Sequence, residues 1–229
     1  MCLIVLAWRV DPDYALIVAA NRDEFHARPA ERAGFWKDHP SILAGRDLLA
    51  KGTWMGVSRA GRFAAVTNYR GAREPRAKES RGHLVSRFLV NGAAPEGYVG
   101  EVAQRGTDYS GFNLLAADGT DLWWYSNRGA APRRLGPGIY ALGNDLLDTP
   151  ETAPSKHEFA RCLESAISVE GLFGVLQPAR IVSPAYGTRC STVLIGEADG
   201  RVQFAERAFG ADGCEGETTR YDLRLRRIS

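Results

Sequence analysis

The first eight residues, Met1-Cys2-Leu3-Ile4-Val5-Leu6-Ala7-Trp8 (MCLIVLAW), set a cysteine directly behind the initiator and at the head of an apolar run. A short, continuous run of branched residues reads as a strand covered on both faces. The run ends at Arg9, and Asp11-Pro12-Asp13 reads as a turn. Tyr14–Ala20 then reads as the antiparallel partner, and Asn21 to Pro29 as a polar loop. The apolar run is too short for a membrane span, and no basic segment or cleavage site marks it as a signal peptide.

Working outward, Thr53–Arg59 and Arg62–Tyr69 form a hairpin around Ala60-Gly61. Phe112–Ala117 and Asp121–Tyr125 form another around Asp118-Gly119. Ile139–Leu142, Thr192–Ile195, Arg201–Arg207 and Arg220–Arg226 read as further strands. Helical spacing appears over Arg81–Leu89, where Leu84, Val85, Phe88 and Leu89 make one stripe, and over Glu96–Arg105. It returns over Lys156–Ile167 and Glu170–Leu176. Gly71–Ser80 is polar and proline-broken, hence a loop. Strands and helices alternate in blocks, which suits an α+β layered domain with mostly antiparallel sheets.

The chain has 229 residues, enough to bury a substantial core, and no linker or repeat divides it, so 1–229 reads as a single domain. Hydrophobic residues make up 45% and charged residues 24%, the balance of a soluble globular protein. A formal net charge of +2 gives no field suited to nucleic acid. Cys2, Cys162, Cys190 and Cys214 contain no CxxC pair, and four scattered thiols suit a reducing compartment, so the reading is cytoplasmic. His26, His39, His83 and His157 have no zinc-site spacing, so no metal is expected. P-loop, dinucleotide, HExxH and GxSxG signatures are absent.

Cys2 has two readings. Cysteine is among the most buried residue types, so it can be a small core residue. Alternatively, removal of Met1 would give Cys2 a free α-amine with a reference pKa of ~7.7–8.0. That amine can take the thiol's proton, so one residue would supply nucleophile and base. In ANRDEF (Ala20–Phe25), Arg22 would favour a nearby thiolate and Asp23 could hold the amine. Their alternative is a solvated turn with an incidental ion pair. Asn68 and Asn144 each follow a strand and can donate to an oxyanion, or merely satisfy a turn. Arg189, in YGTRCST, can support a thiolate or a substrate carboxylate, or lie on the surface.

Taken together, MCLI, NRDE (21–24), AGRD (44–47), GTW (52–54), TNYR (67–70), GFNL (111–114), YGTR (186–189) and ER-F (206–209) resemble the NRDE-motif family, the transport and Golgi organisation protein 2 family. The resemblance covers nearly the whole chain, in order. It implies the four-layer αββα sandwich of the N-terminal-nucleophile (Ntn) hydrolases. It also implies kinship with the bile-salt hydrolase and penicillin V acylase branch of that fold. There an N-terminal cysteine works with an arginine, an aspartate, two asparagines and a second arginine. Carried over, these are Cys2, Arg22, Asp23, Asn68, Asn144 and Arg189. In that branch two residues separate the first arginine from the aspartate. Here Arg22 and Asp23 adjoin, and neighbours on a strand point to opposite faces, so both would reach Cys2 only through a bend.

Three functions are compatible with this reading. The first is a cysteine-nucleophile hydrolase, without cofactor, acting on an amide (C–N) or thioester bond of a small acyl substrate after Met1 removal. The second, implied by the family's association with haem mobilisation and acyl-CoA metabolism, is a non-catalytic carrier of haem or acyl-CoA in the same pocket. The third is a scaffold that binds neither.

Overall fold

A computed structural model describes residues 2–71, 77–129 and 131–225. The first half contains β1 (Leu3–Asp11), β2 (Tyr14–Phe25), β3 (Ala30–Phe35), β4 (Ile42–Asp47), β5 (Met55–Ser58), β6 (Phe63–Asn68), α1 (Gly82–Val90) and α2 (Pro95–Gln104). The second half contains β7 (Phe112–Ala117), β8 (Leu122–Ser126), β9 (Arg133–Leu135), β10 (Gly138–Leu142), α3 (Ala153–Leu163), α4 (Val169–Leu176), β11 (Tyr186–Glu197), β12 (Arg201–Phe209) and β13 (Glu215–Arg224). The chain forms two compact units. One comprises the residues up to Arg28 with Pro137–Gly143 and Leu147–Arg224; the other comprises Pro29–Gly136 and Asn144–Leu146.

The first unit is built on an antiparallel sheet in the order β10-β1-β2-β11-β12-β13. Leu3 to Trp8 are all buried, as a doubly covered strand requires. Alternate residues Leu3, Val5, Ala7, Ile17, Ala19, Val193 and Ile195 pack with Phe159 of α3 and with Leu172, Phe173 and Leu176 of α4. Ser168 starts α4 by accepting the Gly171 N–H at 3.1 Å, an N-cap.

The second unit is a seven-stranded meander, β3 through β9 in order. Gly61, with φ of +80°, closes the β5–β6 hairpin. The α1 stripe of Leu84, Val85, Phe88 and Leu89 is buried against Ile42, Ala64, Leu114 and Ala116 of the sheet, with Tyr98, Val99 and Val102 of α2 in the same cluster. The last turn of α1 leaves carbonyls without helical partners. Arg62 answers one of them and a carbonyl of the chain that follows: Nε donates to Phe88 O at 2.8 Å and Nη2 to Ala93 O at 2.6 Å. Its guanidinium also lies 3.9 Å from the Phe88 ring centroid. Burial holds this guanidinium below its ordinary value.

The hairpins and four helices lie where the pattern predicts, within a few residues. Three strands are additional. β3 (AERAGF) and β4 (ILAGRD) interrupt their apolar residues with glycine and charge, and β9 spans only Arg133–Leu135. The predicted loop Asn21–Pro29 is corrected in its first half, because β2 runs on through Phe25. Of the predicted loop Gly71–Ser80, residues 72–76 lie outside the described residues, as does Arg226 of the last predicted strand. Among the described residues no helix is long and apolar enough to cross a membrane.

Replacing Arg62 by alanine removes donors from the buried Phe88 carbonyl of α1 and the part-buried Ala93 carbonyl just beyond it. Each such loss costs ~1–3 kcal/mol. The Arg62→Ala variant should therefore unfold at clearly lower denaturant, by roughly 2–5 kcal/mol in a denaturation series. Loss below 0.5 kcal/mol would show that these bonds are dispensable.

Candidate functional site

The candidate site of the first unit lies where β1, β2 and β11 meet. The β1–β2 register ends at Leu3↔Asn21, and Cys2 is the next residue out. Its sulfur accepts the Asp23 N–H at 3.4 Å, and its thiol points at the Asp23 carbonyl at 3.5 Å. Cys2 is half-buried. Burial pushes the thiol above its ordinary value, and the Asp23 charge adds to this. The Asp23 N–H and the Arg22 charge act in the opposite sense without reversing the shift.

Asn21 and Asp23 continue β2 inside the unit because each finds a partner on β11 or α4. Asn21 is 0% exposed; its Oδ1 accepts Ser191 Oγ at 2.6 Å and its Nδ2 donates to Leu176 O, the last residue of α4, at 3.0 Å. Asp23 is 3% exposed and its Oδ1 accepts the Thr188 hydroxyl at 2.6 Å. Thr188 Oγ1 also accepts the Ile181 N–H at 2.9 Å, which leaves its proton directed at the carboxylate. At Gly187 an added Cβ would come 2.6 Å from Ile181 O, so the glycine permits this close approach.

Arg22 stands opposite Cys190 and Asp23 opposite Thr188, with a β-bulge between these two β11 residues. Adjacent positions on β2 thus face opposite ways. Arg22 acts on Cys2 through its charge, and Asp23 through both its charge and its main chain. Arg22 Nη2 lies 3.9 Å from Glu24 Oε2. Burial, then the Glu206 charge, pushes the Cys190 thiol far above its ordinary value. Arg189 lies within the bulge, and its Nη1 reaches the carbonyls of Phe25 (3.0 Å), His26 (3.1 Å) and Arg28 (3.2 Å). It clamps the turn that follows β2.

The other two sequence candidates lie in the second unit, and the structure brings them together. Asn144 Nδ2 donates to Asn68 O at 2.6 Å, and Arg70 N–H donates to Asn144 O at 2.6 Å. Beneath them Asn113, 0% exposed, donates to Thr67 Oγ1 at 3.1 Å and Asp145 O at 2.9 Å. The Asp145 charge raises the neighbouring Tyr69 phenol above its ordinary value.

The second unit also has a cavity of about 750 Å³ lined by Leu84, Val90, Tyr98, Val102 and Tyr109, with Arg87 and Arg105 among its polar residues. Glu79 ties off both arginines, at 2.5 and 2.6 Å. Among the described residues no three His, Cys, Asp or Glu side chains gather to hold a metal ion.

Sequence reasoning missed Thr188, Ser191 and Tyr186. Tyr186 Oη donates to the Asp23 carbonyl at 3.3 Å. All three become visible only once β2 is continued through Phe25 and paired with β11.

The family model described as Transport and Golgi organisation 2 matches residues 1–184. The Transport and Golgi organization protein 2 homolog of Bos taurus is 35% identical over 274 residues, covering 98% of this chain and 99% of that protein. The chain belongs to the Transport and Golgi organisation 2 family. The Homo sapiens homolog is 34% identical with the same coverage. Among solved structures, penicillin V acylase from Agrobacterium tumefaciens is similar at a TM-score of 0.55 and 14% identity, over 90% of this chain and 83% of that one. The C2A mutant of conjugated bile acid hydrolase from Clostridium perfringens gives a TM-score of 0.57 at 9% identity, over 99% and 98%. These likenesses show the fold alone: this family member has the α+β fold of the Ntn hydrolases.

The thiol's environment sets a pH prediction. With Met1 attached, Cys2 should alkylate slowly at neutral pH, its rate rising only above the usual thiol range. Asp23→Asn removes a charge that raises the thiol, so the midpoint of the rate profile should move to lower pH. Arg22→Gln removes a charge that lowers it, so the midpoint should move up. Site-resolved mass spectrometry of alkylated Cys2 across pH reads both, and a reversed order would disprove this electrostatic account.

Proposed function

We propose that this family member is an N-terminal-cysteine hydrolase that cleaves an amide or thioester bond of a small acyl substrate once Met1 is removed. One observation carries the reading. The Cys2 sulfur rests on the main chain of Asp23, while the carboxylate of that residue is held by Thr188. The Ntn-hydrolase fold of the acylases and amidases it resembles supports it.

In the trimmed chain the α-amine of Cys2 takes the thiol proton, and the sulfur attacks the acyl carbon. The C–N or C–S bond breaks, and the leaving amine or thiol receives that proton. Water, deprotonated by the same amine, then hydrolyses the thioester between acyl group and Cys2. Asp23 Oδ2 would hold the amine as an acceptor, with Oδ1 engaged by Thr188. The amine has a reference pKa of ~7.7–8.0, close to neutral, which suits a group that must gain and lose a proton in each cycle.

Intact-mass measurement of purified protein should show loss of Met1. Short-chain acyl thioesters should acylate Cys2 and turn over, and Cys2→Ala should lower turnover by about 10³-fold or more. Active protein that retains Met1, or undiminished activity of Cys2→Ala, would overturn the proposal.

A further inference from the structure

We infer that Phe25 and Tyr186 form an aromatic platform beside Cys2 that receives the acyl part of the substrate and selects aromatic or extended apolar acyl groups. The inference rests on the hydrolase reading and deepens it by naming the substrate class.

Four observations converge. First, Phe25 is a large apolar side chain that is 59% exposed, the highest value among the large exposed apolar side chains of the described residues. Second, it is not loosely held. Arg189 Nη1 gathers the carbonyls of Phe25, His26 and Arg28, His26 N–H donates to Ala185 O at 2.9 Å, and His26 Nε2 lies 3.1 Å from Ser183 O. The phenyl ring is therefore presented on a fixed backbone, as a preformed binding surface would be.

Third, Phe25 and Tyr186 are direct cross-strand partners on β2 and β11, with ring centroids 5.3 Å apart at 76°. This edge-to-face contact leaves a ring surface open to a third group. Fourth, the pair adjoins the nucleophile. The Tyr186 hydroxyl (3.3 Å) and the Cys2 thiol (3.5 Å) share one oxygen, the carbonyl of Asp23. Asp23 and Phe25, two positions apart, point to the same face of β2. The helical cover of that face ends where Asn21 takes the final carbonyl of α4; beyond it the chain from Ile181 to Ala185 packs on Thr188 and His26, while the Phe25 ring stays exposed. A carbonyl carbon placed at Cys2 would carry its apolar substituent onto these rings.

The test uses the trimmed full-length chain and two chloroacetamides that alkylate Cys2, one plain and one N-benzyl. Wild type should label faster with the benzyl probe. Phe25→Ala should reduce the benzyl-to-plain rate ratio about tenfold, and Phe25→Trp should retain or raise it. Phe25 is exposed, so thermal melts of both variants should match wild type. A ratio that Phe25→Ala leaves unchanged would overturn the platform. Turnover of phenylacetyl and acetyl thioesters is measured in parallel. If neither turns over while the labelling ratio still depends on Phe25, the hydrolase reading fails and the binding platform stands.

Discussion

The polar seam between β2 and β11 is the constraint on which the first unit depends. Asn21, Arg22 and Asp23 carry a strand into the interior, where an unmatched polar group costs several kcal/mol. The sheet admits them because Ser191 and Thr188 stand opposite Asn21 and Asp23 and each offers a hydroxyl. Asn21 also closes the end of α4. The same bonds that make the strand tolerable therefore fix its register. A slip of one residue would turn each side chain away from its partner. A seam that cannot slip also fixes the Asp23 main chain, and with it the position of the Cys2 sulfur.

Several of the sequence stretches shared with the family read as structural once this is seen. Gly52 and Gly82 meet so closely that a Cβ on Gly52 would lie 2.5 Å from the Gly82 carbonyl carbon. Arg46 makes a bidentate pair with Asp38, at 2.6 and 2.7 Å, and lies over Trp36. That pairing holds the Asp38 carboxyl down to about 2, below the usual carboxylate range. Such residues keep β3 and β4 in place rather than touching the thiol. The YGTR stretch differs, because Thr188 and Tyr186 both bear on Asp23.

The helical repeat made α1 legible, and apolar runs on either side of Ala60-Gly61 and Asp118-Gly119 made the β5–β6 and β7–β8 hairpins legible, whose strands are buried along nearly their whole length. β3 and β4 were not legible, since charged and glycine positions hide the alternation. The continuation of β2 through Phe25 was hidden for a stronger physical reason. Local polarity reads as loop, and only partners more than 150 residues away make Asn21 and Asp23 fit a buried strand. Cys2, Arg22 and Asp23 were legible as neighbours because a hairpin joins β1 to β2. Arg189 was visible as a residue but not as a clamp, since the carbonyls it gathers depend on the β11 bulge. The role of Arg62 at the end of α1 left no signal in the pattern either.

The electrostatics of the two thiols bear on where reactivity can come from. Arg22 pulls both Cys2 and Cys190 toward thiolate. Burial outweighs it at each, and the nearby Asp23 and Glu206 charges oppose it further. A single guanidinium shared by two thiols thus leaves both protonated at neutral pH. Cys190 carries no group that could change this, because its α-nitrogen is an amide within β11. Cys2 alone can acquire a base without any movement of the sheet, by losing one residue ahead of it. The asymmetry between the two cysteines is therefore one of chain position rather than local polarity. Under the proposed hydrolase reading, Cys2 is therefore the thiol of this pair that would serve as nucleophile.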